Sequence, residues 1–151
     1  MNGIPFHVAD SPYFLDFLQA LNKSFKPAGF TMLRTTLLLR EFMCVKAEIQ
    51  EELRDQQNIT ENLDSWTDNR GHSVYTSNIV FPDRQIAQWA CEDVSPESHT
   101  GEFLRDLTLK YIKEIGRELV GALVTDDAAN IKKGRRLVVE TPGCTHILEM
   151  R

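Results

Sequence analysis

The run Leu119-Val120-Gly121-Ala122-Leu123-Val124-Thr125 constrains this chain most, because it is almost wholly apolar and then stops at Asp126-Asp127. Continuous rather than alternating apolarity is what a strand covered on both faces requires. The residues just beyond, Ala129–Val139, read as a basic helix. An earlier stretch, Ile59–Trp66, is also strand-like and carries Asp64 near its far end. Two strands that each deliver a carboxylate at the same kind of position point to an acidic site.

The rest of the chain supplies layers for those strands. After Ser11-Pro12, which reads as an N-cap with proline at the first helical position, Tyr13, Phe14, Phe17, Leu18 and Leu21 recur at helical spacing. From Thr31 to about Gln57 the stripe Leu38, Phe42, Val45, Ile49 and Leu53 predicts one long amphipathic helix. At about 1.5 Å per residue it would run on the order of 35–40 Å, more than a small sheet needs. Its stripe therefore packs either within the chain or against a second protomer. Residues 1–57 read as an N-terminal helical segment and 58–151 as a sheet domain.

In that second part, Ile59–Trp66, His72–Phe81 and Ile86–Val94 are joined by short links and predict an antiparallel meander. Ser98 or Thr100 caps a helix with Phe103, Leu107 and Tyr111 on its apolar face, ending at Gly116. Leu119–Thr125 is the fourth strand, Ala129–Val139 a helix, and Cys144–Met150 the start of a fifth strand. The order β-β-β-α-β-α is an α/β layout with a mixed sheet. If the fourth strand lies parallel beside the first, Asp64 and Asp126 emerge together at the carboxyl edge despite the gap of 62 positions (126 − 64).

Bulk composition narrows the function classes. A formal net charge of −5 argues against a nucleic-acid binder held by overall electrostatics, although a local basic face is compatible with it. The three cysteines, Cys44, Cys91 and Cys144, form no CxxC pair, which favours a reducing compartment over a disulfide framework. The first residues lack a charged leader and an apolar core, and no apolar run approaches the roughly 20 residues of a membrane span. The expectation is an intracellular, soluble chain with no membrane partner.

Two aspartates brought close together repel, and a hard divalent cation such as Mg2+ or Mn2+ relieves that repulsion. A cation held this way activates water or a 3′ hydroxyl and stabilises an in-line phosphoryl displacement. The plainer reading is that Asp64 closes a strand turn and Asp126 or Asp127 caps the following helix. Lys132, Lys133, Arg135 and Arg136 lie just beyond, as a surface for a DNA backbone or as a solvated helix face. His72 and His99 sit near element boundaries, where they could support a metal ligand or contact DNA, but a surface or capping role is the plainer reading of each. A self-sufficient nuclease would draw a third ligand from Asp68 or Asp127.

Pro5-Phe6, Ser11-Pro12-Tyr13-Phe14, Leu63-Asp64-Ser65-Trp66-Thr67-Asp68, Glu97-Ser98-His99-Thr100-Gly101-Glu102 and Val124-Thr125-Asp126-Asp127-Ala128-Ala129-Asn130 make a specific combination. Together they resemble the transposase-related domain of hAT-type elements, in particular fungal members that carry a domain of unknown function in this region. The resemblance implies a ribonuclease H-like fold, DDE-type transposase ancestry and a nuclear location in preference to a cytoplasmic one. It makes Asp64 and Asp126 the first two metal-binding catalytic carboxylates of magnesium-dependent DNA cleavage and strand transfer. The third carboxylate of that family, a glutamate, comes after a helical insertion beyond the last residue here. The family's CxxH pair is one residue short in Cys144-Thr145-His146. The chain is thus expected to be an inactive fragment of a DNA-directed enzyme. The alternative is a non-catalytic interaction module, binding DNA or protein, that dimerises through the helix 31–57.

Glu61 stands out within the first strand. It alternates with Leu63 and so points away from Asp64, into a region where an unpaired carboxylate must take up a proton or cost several kcal/mol.

Overall fold

The computed structural model describes residues 3–150, which form two compact units that divide between Glu48 and Ile49.

In the first unit a 3₁₀ turn, Phe6–Asp10, leads into α1, Pro12–Leu21. Proline opens α1, where its missing N–H has no helical partner to lose. The Asp10 carboxylate accepts the Phe30 N–H at 3.0 Å and so fixes the start of α2, Phe30–Met32. The helix then runs without a break through a π-helical turn, Leu33–Leu37, into α3, Leu38–Leu53. It stops at Leu53 rather than near Gln57, because the chain folds back through two turn hydrogen bonds and a left-handed Asn58 (φ 56) to deliver Ile59 to the sheet.

The second unit is α/β, built on a five-stranded mixed sheet. Its strands are β1 (Ile59–Thr67), β2 (Ser73–Val80), β3 (Ile86–Asp93), β4 (Val120–Thr125) and β5 (Leu148–Met150), in the order β3-β2-β1-β4-β5. The first three form the antiparallel meander. β4 runs parallel to β1, and β5 parallel to β4. Helices α4 (Gly101–Ile115) and α5 (Ala129–Val139) are the crossovers that parallel pairing demands. The Thr100 hydroxyl caps α4 by accepting the Phe103 N–H at 3.1 Å. β5 covers only Leu148–Met150, because Thr141–Ile147 is taken up by turns.

One core serves this unit. Ile59 and Leu63 of β1, Ile79 of β2, Val120 and Leu123 of β4, Leu104 and Ile112 of α4, and Val138 of α5 are buried together. The end of α3 adds Ile49 and Leu53. Each such side chain contributes about 1.5–3 kcal/mol through the apolar surface it removes from water. β4 is buried along most of its length, with Gly121 and Val124 half-buried.

Two glycines set close approaches. The β1–β4 register slips between Ile59 and Thr60, so that Ile59 pairs with Val120 but Thr60 with Ala122. Gly121 is the extra residue of that bulge, and a Cβ there would lie 3.0 Å from the Asn58 Cα. Gly134 does the same for α4 and α5: a Cβ would sit 2.9 Å from the Leu104 Cβ.

Glu61 is fully buried in this core. Its Oε1 accepts the Ser77 hydroxyl at 3.0 Å, while Oε2 has no hydrogen-bond partner among the described residues. Desolvation pushes its pKa from 4.5 up to about 8, against the small opposing pull of Ser77. Glu61 is therefore protonated in the folded protein at neutral pH.

Two outcomes follow for stability. Between 4.5 and about 8 the folded chain holds a proton that the unfolded chain has lost, so stability falls as pH rises through that window and levels off above it. Glu61→Gln, measured by urea denaturation, should match the native chain near pH 4.5 and exceed it by a few kcal/mol at pH 8.5. Equal stability at both pH values would contradict the buried, neutral Glu61. Gly134→Ala should cost about 1–2 kcal/mol net, with overpacking against α4 outweighing the better helix propensity of alanine. A neutral or stabilising effect on the urea midpoint would show that α4 and α5 are further apart than described.

Candidate functional site

The carboxyl edge of the sheet is assembled from three chain segments. The last β1–β4 pair is Leu63 with Thr125, so Asp64 and Asp126 are the next residue on each of two neighbouring strands. The bulge at Gly121 sets this match. Had the pairing continued unbroken from Ile59 and Val120, Asp64 would lie opposite Thr125, and Asp126 opposite Ser65.

Both aspartates are exposed, and each is oriented by a backbone donor. Asp64 Oδ1 accepts its neighbour Ser65 N–H at 2.8 Å. Asp126 Oδ1 accepts the Ala128 N–H at 3.0 Å, holding the turn that starts α5. The N-cap of α5 is Ala128, and no side chain caps the helix, so Asp126 braces the turn ahead of α5 instead of capping it, and Asp127 does not cap it either. These bonds use one oxygen of each carboxylate and leave Oδ2 of each outside them.

The neighbouring residues lock the edge in place. Tyr75 stands opposite Ser65 in the β1–β2 register. Burial raises the Tyr75 phenol above its ordinary pKa, the Asp126 charge raises it further, and a hydrogen bond with Ser65 opposes both. The His99 ring lies edge-on to Tyr75 and stacked on Phe103, with centroids 5.6 and 6.2 Å away. Its Nε2 is 3.2 Å from the Val94 carbonyl, and its own carbonyl accepts from Asn130 Nδ2 at 3.0 Å. His99 therefore joins the first turns of α4 and α5 and packs between aromatics. Ser65 and Asn130 fall inside the motifs of the hAT resemblance, but neither was assigned a role from sequence, which marked Tyr75 only as an apolar position of β2.

The four cations expected to face a phosphate backbone separate. Lys132 and Arg136 are exposed on α5. Lys133 is also exposed but pairs with Glu102 of α4. Arg135 departs from that expectation: its side chain is 3% exposed. Nη1 donates to the Thr125 hydroxyl at 2.6 Å, Nε lies 3.4 Å from Glu149 Oε2 on β5, and Nη2 lies 3.7 Å from Asp127. The helix period explains this, since α5 turns Ile131, Gly134, Arg135 and Val138 inward.

The two candidates for a third ligand are engaged elsewhere. Asp68 Oδ1 accepts the N–H groups of Arg70 and His72 at 2.8 Å each, closing the β1–β2 hairpin, and these bonds hold its carboxyl below the usual range. Asp127 faces Arg135. Among the described residues, no group of three or more histidines, cysteines and carboxylates is arranged to hold a metal ion. Nor is any described helix long and apolar enough to cross a membrane.

No family model and no curated protein matches this chain.

Replacing Arg135 separates its internal role from a surface one. Arg135→Met should cost on the order of 2–4 kcal/mol, because it leaves Thr125 and Glu149 without their buried partner. Arg136→Met should stay within about 0.5 kcal/mol of the native chain. Urea denaturation of both variants checks this, and equal losses would refute the buried bracket.

Proposed function

We propose that this chain is a transposase-derived, ribonuclease H-like domain whose two edge carboxylates, Asp64 and Asp126, retain the ancestral ability to bind a divalent cation next to DNA. One observation carries the reading: the bulged parallel pairing of β1 and β4 makes Asp64 and Asp126 successive neighbours at the carboxyl edge of the sheet. The element order β1-β2-β3-α4-β4-α5 supports it, being the order that the resemblance to hAT-type transposases implies.

The donor set fits magnesium or manganese in a limited way. Both side chains are hard oxygen donors, both are exposed, and each keeps one carboxylate oxygen outside its backbone bond. Magnesium is commonly held by one or two carboxylates, with water and phosphate oxygens completing its shell. Once bound, such an ion supplies charge stabilisation for a phosphodiester oxygen and acidifies water. The protein's own part is orientation: Ser65 and Ala128 N–H groups aim the carboxylates, and Arg135 anchors the end of β4 from which Asp126 projects. Lys132 and Arg136 lie on the exposed side of α5 for a phosphate backbone, in a weak contact suited to a chain of net charge −5. A DNA-directed role of this kind belongs in the nucleus.

Titration calorimetry with Mg2+ and Mn2+ tests the site. Weak binding, in the high-micromolar to millimolar range, is expected for two carboxylates, and Asp64→Asn or Asp126→Asn should abolish it. Unchanged binding in the double variant would sink the proposal.

A further inference from the structure

The unit that ends at Glu48 has little interior: among its described residues only Ala9 is buried. Large apolar side chains instead face outward along the helical run from Phe30 to Leu53. Met32, Leu38, Leu39, Phe42, Met43 and Val45 are between 44% and 63% exposed. Apolar groups this dense on several sides of a helix are stable in water when another surface covers them. At roughly 100 Å2 of exposed surface each, they approach the ~800 Å2 that one partner gives to a standard interface.

Charge placement identifies the partner. Arg34 and Arg40, against a single Glu41, make the run before Phe42 basic, whereas Glu48, Glu51 and Glu52, against Lys46, make the run after Met43 acidic. Arg34 lies 5.7 Å from the ring centroid of Phe30, and Lys46 lies 5.9 Å from that of Phe42. Glu51 is within 2.8 Å of Arg54, which leaves Glu48 and Glu52 as the main acidic partners. A second copy packed parallel would set like charges beside each other. Packed antiparallel, it sets each basic part against the other's acidic end, the contact is made twice by two-fold symmetry, and the helix dipoles also oppose.

We infer that the helical run Phe30–Leu53 pairs antiparallel with the same helix of a second copy of this chain, crossing near Phe42 and Met43. The interface does not involve Asp64 or Asp126, so it stands or falls separately from the metal site.

The full chain should sediment as a dimer at tens of micromolar, with a dissociation constant that rises with salt. Phe42→Glu should raise that constant at least roughly 30-fold, as loss of a central anchor does. The near-ultraviolet signal of buried Trp89 should be unchanged; if it is lost, Met43→Glu replaces this variant. Spin labels at Gln50→Cys, in a Cys44→Ser, Cys91→Ser background, should lie about 20 Å or more apart, against about 10 Å for a parallel pair. A monomer at 100 micromolar overturns the inference, even if another protein captures it. So does a dimer indifferent to both glutamate variants, or a short distance between labels.

Discussion

The parallel contact between β1 and β4 is the constraint on which the sheet unit depends. Parallel strands cannot be joined by a tight turn, so the chain must leave the sheet after β3, cross it as α4 and return. That crossing buries Tyr111, Ile112 and Leu104 over the central strands. It also brings Asp126 to the end of the sheet where β1 delivers Asp64. A single inserted residue, Gly121, fixes which side chains face each other along that contact, and the backbone of Asn58 packs closely where its side chain would be.

Around the carboxyl edge, most polar groups are engaged in holding the architecture. Asp68 closes a hairpin, Asp126 braces the turn before α5, His99 and Asn130 tie two helix starts together, and Arg135 joins α5 to β4 and β5. Such an edge is rigid because backbone donors and buried partners define its rotamers. Rigidity is what the proposed weak ion binding would need, since the protein would then contribute direction and not a complete coordination shell.

How far the sequence could be read follows from how local each signal was. The apolar run at Leu119–Thr125 and the alternation in the meander marked strands, and the helical spacing of Phe103, Leu107 and Tyr111 marked α4, because each depends only on near neighbours along the chain. The burial of Arg135 was not legible in the same way. Lys132, Lys133, Arg135 and Arg136 look alike as a string, and only the phase of α5 against Gly134 and β4 separates the one that turns inward. The length of α3 was overestimated for a similar reason, since Gln56 and Gln57 suit a helix while the sheet requires the chain to turn. Glu61 was readable as an anomaly from alternation alone, but its setting depended on where α4 came to rest.

That buried glutamic acid gives the fold a stoichiometric link to its surroundings. At neutral pH each chain that folds takes up close to one proton from solvent, and each chain that unfolds gives it back. The proton is then as much a component of the native core as Ile59 or Leu123. The measured enthalpy of folding will contain the ionisation heat of whichever buffer supplies that proton, so calorimetry in phosphate and in Tris should disagree by nearly the difference between the two buffers' ionisation enthalpies.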